Sequence, residues 1–256
     1  MLVSTVGRKD CPVTADAEGS LGEVAYLTIR DAIITCRLAP GARVTERGLA
    51  TELNLSISPI RSAMTRLDHE GLIQTIPRKG YQVTPLTVRS VNELFGYWAM
   101  LGGAMAGVGL ANADDHQLKR LITAVERLAA VTSEPGDSRE TARRVIDDSV
   151  APFEVLAEII DNQYLRAALE QLRGELRRVW IMVIESELLV AGRRIDDYEA
   201  CIAAIRARDI DGFVSFLRHH IEQSHRRVAD SLTSFPSLLD TEIVPFPNKL
   251  ASTPGG

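Results

Sequence analysis

The chain has 256 residues, of which 45% are apolar, 25% charged and 5% aromatic. That length allows one or two domains with an ample core, and the scarcity of aromatic side chains argues against a stacking platform for single-stranded nucleic acid. The formal net charge of −5 is unevenly spread: residues 21–85 hold eight Lys/Arg against six Asp/Glu, and the remainder holds 21 against 28.

Residues 1–20 are polar and lack periodicity, and are read as a flexible N-terminal segment. Residues 21–37 predict a helix with Val24, Leu27, Ile33 and Ile34 on its buried side, stopped by a Pro40-Gly41 turn. Thr45 and Glu46 open a short helix whose apolar face is Leu49, Ala50 and Leu53, and Asn54 ends it. Ser56 or Ser58 caps the next helix, with Pro59 in the first turn, where a missing N–H costs nothing. Ile60, Met64 and Leu67 point inward, and Arg61 and Arg66 point elsewhere. Leu72–Ile76 and Tyr81–Val83 predict two short strands joined by Pro77-Arg78-Lys79-Gly80, and Thr84-Pro85-Leu86 reads as a linker.

An arginine near the start of a second, angled helix is what major-groove readout requires. The helix fits the groove, and a guanidinium can bind guanine through two hydrogen bonds. A basic hairpin tip ending in glycine suits a phosphate contact or insertion into the minor groove. Taken singly, each piece also fits a small helical domain with a solvated hairpin. The ordered series of turn, helix, helix and basic wing points to double-stranded DNA.

The remainder reads as helix after helix. Val88 to Leu110 is helical, with a run of small residues from Leu101 to Gly109 read as close helix packing. Further helices are predicted from Asp114 to Val131, then over about 138–160, 162–190, 194–207 and 209–231. Glu134-Pro-Gly-Asp137 is read as a loop, and Asp209 and Asp211 as a helix start. Residues 235–256 contain four prolines and are read as a tail. No apolar run is judged long enough to span a membrane, and charges replace a signal core at the N-terminus, so a cytoplasmic location is expected. Cys11, Cys36 and Cys201 are odd in number and far apart, which fits neither a disulfide framework nor a zinc knuckle. Cys36 and Cys201 read as core residues.

Residues 21–85 resemble the N-terminal domain of the GntR family of bacterial winged-helix repressors. The resemblance rests on Pro40-Gly41, Glu46-Arg47, Leu49-Ala50, Pro59-Ile60-Arg61, Ala63, Leu67, Glu70-Gly71-Leu72 and Gly80-Tyr81-Gln82-Val83. It implies that Arg47 and Arg61 contact the operator, that Ser56 contacts phosphate, and that Lys79 and Gly80 form the wing tip. Ser58, Arg66 and Arg78 join this DNA-binding set. The residue after Ser56 is usually arginine in the family and a main base reader. Here it is Ile57, which can meet a thymine methyl group.

The helical half resembles the FCD domain of the FadR-type branch, through Phe153, Asn162 and Leu165, through Ala203–Asp209, and through His220-Ile221. Many such domains hold a divalent metal with one aspartate and three histidines. The corresponding positions here are Val150, Glu154, Tyr198 and His220. Only His220 keeps the family's residue, so neither metal nor cofactor is expected. Asp147 and Asp148 are read as out of phase with Glu154, and His220 as a buried histidine bonded to Glu154 or Tyr198. Trp98 and Gly102 stand where the family often has arginine and glutamate. These replacements imply an apolar effector pocket of Trp98, Val150, Phe153, Glu154, Tyr198 and His220, suited to a fatty acid or acyl thioester. The same residues could equally fill the core and leave no pocket.

His69, His116, His219, His220 and His225 offer no metal-ligand pair at zincin spacing, and no serine sits in a nucleophile elbow, so no enzyme is expected. A pure protein-interaction module leaves Arg61, Arg66, Arg78 and Lys79 without a purpose. The expected fold is mostly α. A winged helix-turn-helix domain with a β-hairpin wing occupies 21–85, and an all-helical effector-binding and dimerisation domain occupies 86–234. Segment 1–20 and tail 235–256 flank them. The function read from this is a homodimeric, ligand-responsive transcriptional repressor on a near-palindromic operator, with lipid metabolism as its field. The alternative is a metal- and carboxylate-responsive regulator of small organic acid metabolism.

Overall fold

A computed structural model describes residues 15–133, 139–185 and 197–234. The expected loop at 134–137, the helix ends at 186–190 and 194–196, and the tail at 235–256 lie outside the described residues. The chain divides into two compact units, residues 1–33 with 42–84, and residues 34–41 with 85–256.

The first unit contains α1 (Ala15–Ile34), β1 (Arg43–Val44), α2 (Glu46–Leu53), α3 (Ile57–His69), β2 (Ile73–Ile76) and β3 (Gly80–Val83). Its core is Ile29, Ile33, Ile60, Met64, Leu67, Ile73 and Val83, each at most 1% exposed. The inward triplet on α3 is therefore as expected. The buried stripe of α1 is rotated from the expected one. Ala25, Tyr26, Ile29 and Ile33 face inward, while Val24 and Leu27 are 51% and 52% exposed. Tyr26 is what the apolar count overlooked: its ring is buried, and its hydroxyl donates to Glu70 at 2.8 Å. Nor does Pro40-Gly41 stop α1. The helix ends at Ile34, and Cys36 follows in the left-handed region with φ 54°.

Thr45 caps α2 by accepting from the Gly48 N–H, and Asn54 ends it at φ 52°. The three strands form an antiparallel sheet in the order β1-β3-β2, with Ile73 opposite Val83 and Val44 opposite Tyr81. β1 has two residues, too few to show alternation, and it escaped the sequence reading. At the hairpin tip, the Lys79 N–H donates to the Ile76 carbonyl at 3.0 Å. Pro77 then occupies the second place of a four-residue turn, and Arg78 the third at φ 64°, a conformation glycine usually supplies. Gly80 has φ 86°, and a Cβ there would stand 2.8 Å from the Val44 carbonyl oxygen. Only glycine lets β1 and β3 approach this closely.

The second unit is helical: α4 (Val88–Asn112), α5 (Asp115–Thr132), α6 (Arg139–Ile160), α7 (Gln163–Glu185), α8 (Tyr198–Ala207) and α9 (Ile210–Ser234). The helix starts are set by side-chain caps. Thr87 with Ser90, and Asp114 with Gln117, form reciprocal capping boxes. Asn162 accepts from Tyr164 and Leu165, Asp197 from Ala200, and Asp209 from Gly212. α4 is long and apolar enough by length and composition to cross a membrane, which corrects the judgement that no run is. Its Phe95, Trp98, Met105 and Leu110 belong to the core of the helical unit, where α4 packs against α6, α7 and α9.

Candidate nucleic-acid interface and ligand cavity

The exposed face of α3 follows from the burial of the opposite one. With Ile60, Met64 and Leu67 inward, Ile57, Ser58, Arg61, Ser62 and Thr65 are left facing solvent. Ser56 occupies the cap position, but its side chain makes no capping hydrogen bond. The expected cap is therefore positional only, and the Ser56 hydroxyl stays available at the head of the helix. Arg47 is exposed on α2, and Arg78 and Lys79 are exposed at the wing tip.

Arg66 belongs to a different group. Its Nη1 donates to Glu23 at 2.8 Å, its Nε lies 3.4 Å from Glu70, and its guanidinium stacks 3.4 Å above the centre of the Tyr26 ring. Five residues of helix rotate it away from the Arg61 face, and it ties α3 to α1.

Arg61 is also held. Its Nε donates to both oxygens of Glu46 at 3.1 and 3.2 Å, and its Nη2 to Glu46 Oε2 at 2.9 Å. The Tyr81 hydroxyl, from β3, donates to Glu46 Oε1 at 3.2 Å. The Arg61 guanidinium holds the Glu46 carboxyl below its ordinary value, and Glu46 raises Arg61 in return. Burial first, and then the bond to Glu46, raise Tyr81. Sequence reading missed Glu46 as the partner of Arg61 and Tyr81 as the partner of Glu46, because nothing in residue spacing marks a contact across fifteen and thirty-five positions.

In the helical unit a cavity of about 330 Å³ lies between α4, α6 and α7. Its wall is mixed, not apolar as expected: Trp98, Ile146, Val150, Phe153, Leu169, Leu172, Leu176 and Trp180 supply only about half of its surface. Asp147, Ser149, Glu154, Arg173 and Arg177 supply its polar groups. Of the expected pocket residues, Trp98, Val150, Phe153 and Glu154 meet here, and Tyr198 and His220 do not line it. The Trp98 ring stands 5.9 Å from Phe153 and 6.4 Å from His220. His220 is buried beside that indole, with Phe216 stacked at 6.0 Å and Tyr198 at 6.3 Å.

Glu154 is committed to Arg173 at 2.6 Å, so of the two partners expected for His220, Glu154 or Tyr198, Glu154 is taken by this ion pair, while the Tyr198 ring lies beside the imidazole. Asp147 is in phase with Glu154 after all. Seven residues make nearly two full turns, both carboxylates reach the cavity, and Asp147 faces Arg177 at 3.8 Å. Asp148 turns away to Arg127 at 2.6 Å. The α7 contribution was missed, although Leu169, Leu172, Arg173, Leu176, Arg177 and Trp180 recur at helical spacing and could have been found by it. Among the described residues, no three His, Cys, Asp or Glu side chains come together in a group able to hold a metal ion.

A three-helix head with a two-stranded wing, followed by a separate helical unit, defines a winged helix-turn-helix protein with an appended all-α domain. Residues 21–83 match the bacterial regulatory proteins of the gntR family and residues 93–223 match the FCD domain, and the chain belongs to this family, of GntR/FCD type. It is 24% identical over 204 residues to the HTH-type transcriptional repressor RspR of Escherichia coli, covering 77% of this chain and 84% of RspR. It is 26% identical over 147 residues to the HTH-type transcriptional regulator YdhC of Bacillus subtilis, covering 57% of this chain and 64% of YdhC. To an HTH-type regulator from the TAR-I ttuE-ttuC' intergenic region of Agrobacterium vitis it is 34% identical over 96 residues, 37% of this chain and 56% of that protein. The chain thus spans less than two thirds of the length of these last two relatives. Among solved structures it is similar to Escherichia coli McbR/YncC, with a TM-score of 0.63 and 19% identity over 84% of this chain and 98% of that one.

Proposed function

We propose that this regulator is a cytoplasmic, non-enzymatic repressor that binds a near-palindromic operator as a homodimer and responds to a small-molecule effector. In this proposal residues 21–85 read DNA, and residues 86–234 bind the effector and pair the subunits. The observation that carries the DNA assignment is the exposed first turns of α3. Ser56, Ile57, Ser58 and Arg61 face solvent there, with Arg47 and the Arg78-Lys79 tip exposed on the same unit. Dimer symmetry matching operator symmetry is the usual geometry for such heads. Tyr97, Met100 and Val108 support pairing through a second copy, because these apolar side chains lie exposed along one face of α4.

The effector reading is an amphipathic acid in the α4–α6–α7 cavity. The apolar part of the wall favours a fatty chain, and the Arg173 and Arg177 guanidiniums in its polar part favour an acid head. The volume is at the small end of ligand cavities, so one acyl chain suits it better than a complete acyl thioester. The placement in the FadR-type branch and the link to lipid metabolism rest on this cavity and on the sequence resemblance. Repression follows RspR by analogy only.

The test is fluorescence anisotropy of the purified protein with DNA from upstream of its own gene. Salt-dependent binding that prefers this DNA over random duplex, two subunits per site, is the expected result. A folded protein that makes no such distinction would remove the operator assignment.

A further inference from the structure

Arg61 is the single charged side chain on the exposed face that runs from Ile57 to Thr65. A lone arginine there could do either of two jobs, reading a base or clamping a phosphate. The bonds it makes decide between them. Glu46 takes the Nε–H and one Nη2–H along one edge of the guanidinium. No group among the described residues bonds to Nη1. The open edge therefore consists of Nη1 and the second hydrogen of Nη2, two parallel donors in one plane.

That edge matches the O6 and N7 acceptors that guanine presents in the major groove. A phosphate is a worse match. It is an anion, and it would be brought beside a carboxylate that already neutralises this cation at 2.9 Å. The uncharged edge of a base meets no such opposition. The carboxylate also fixes the plane of a side chain that is otherwise free to rotate, which lowers the entropy cost of ordering it on DNA. Tyr81 fixes the carboxylate in turn. It reaches Glu46 from β3, so the wing strand sets the aim of a residue on α3.

We propose that Arg61 reads a guanine in each half-site, and that Glu46 and Tyr81 are positioning residues that orient its guanidinium for this and bias it against phosphate. This deepens the proposed DNA-binding function and rests on it.

The experiment uses the full-length protein. Duplexes enriched from a random pool by the wild type define its base preferences. Affinities for the enriched site, for single base-pair changes and for random duplex are then measured against salt for Arg61→Lys, Glu46→Gln and Tyr81→Phe, with thermal melting as the fold control. In the wild type, one G·C pair per half-site is expected to matter. Arg61→Lys should lose about tenfold or more of the preference for that pair alone, since an ammonium cannot make the bidentate contact. Glu46→Gln should lower the same preference while raising affinity for random duplex, because a negative charge beside the DNA is gone. Tyr81→Phe should lower that preference by a smaller factor.

If Arg61→Ala, melting like the wild type, shallows the salt slope by about one and alters no base preference, Arg61 is a phosphate clamp and the proposal fails. If Glu46→Gln leaves the preference for the Arg61 pair unchanged, its positioning role fails. A wild type that enriches no sequence at all would overturn the DNA-binding reading itself, which is a separate outcome.

Discussion

Gly102 of α4 lies against the ring of Phe153 of α6, so closely that a Cβ at Gly102 would stand 3.0 Å from Phe153 Cε1 and 3.3 Å from Ile221 Cδ1. Alanine in a helix is worth up to about 1 kcal/mol more than glycine. Overpacking a tight core costs about 1–3 kcal/mol. Crowding from two sides should win, so Gly102→Ala is expected to lower stability in urea unfolding. Gly102→Glu, the residue type the family often carries, should be far more damaging, since it would bury a carboxylate among apolar groups. An alanine variant more stable than the wild type would mean that Phe153 moves freely, and that the cavity wall it forms is soft.

The wing tip pairs one residue that tolerates glycine with one that requires it. Arg78 has φ 64° and pays for that conformation in strain, whereas the Cβ of an alanine at position 80 would strike the Val44 carbonyl. Arg78→Gly should therefore raise the melting temperature slightly, and also weaken binding to DNA of any sequence by removing a cation. Gly80→Ala should lower both stability and DNA affinity, because β1 and β3 must separate. Equal effects of the two changes on melting would refute this assignment of backbone roles.

Burial raises the Cys201 thiol from its ordinary 9.0 to about 12. In the folded protein the thiol stays neutral through mildly alkaline pH, while in the unfolded chain it ionises from about pH 9. Stability should therefore fall as pH rises between these two values, by up to about 1.4 kcal/mol per pH unit for one proton. Comparing the slope of the wild type with that of Cys201→Ala isolates the contribution. An alkylating reagent at pH 8 should likewise modify Cys201 only on unfolding.

The exposed line of Tyr97, Met100 and Val108 gives the dimer a simple check. Met100→Glu would place a charge in the middle of an apolar contact. It should shift the protein toward monomer in sedimentation, without loss of helix content, and should weaken operator binding by separating the two heads. A dimer that survives Met100→Glu and Val108→Glu unchanged is built through another face.

The winged-helix unit was legible because its signals are local. Thr45, Asn54 and Pro59 mark helix ends by their own backbone chemistry, and Ile60, Met64 and Leu67 show the buried stripe directly. What escaped was non-local or below the length of a pattern. β1 is two residues long, the contacts of Arg61 and Tyr81 with Glu46 cross between elements, and Tyr26 hides an apolar ring behind a polar name. In the helical half the resemblance to the FCD domain implied four metal positions, and that drew Tyr198 and His220 into the pocket. The indole of Trp98 places them beside a different set of rings. The α7 wall was readable from its spacing, but no family position directed attention to it.

That wall supports the last expectation, which concerns what enters the cavity. Trp98 and Trp180 both line it, so neither serves as an outside control, and each must be tested with the other replaced by phenylalanine. A medium-chain fatty acid is expected to change the emission of both single-tryptophan proteins and to alter operator affinity. If the acid head meets Arg177, whose ion pair with Asp147 is the longer of the two at 3.8 Å, Arg177→Gln should weaken the acid about tenfold or more. The alcohol of the same chain length should bind Arg177→Gln and the wild type alike, which separates loss of the head contact from loss of the fold. Leu172→Phe should block both ligands by filling the apolar wall. Fatty acids inert at every concentration below their self-association, with small hydroxy acids or sugar acids releasing DNA at micromolar levels, would sink the amphipathic assignment. The two arginines would then be the seat of a short, doubly charged ligand.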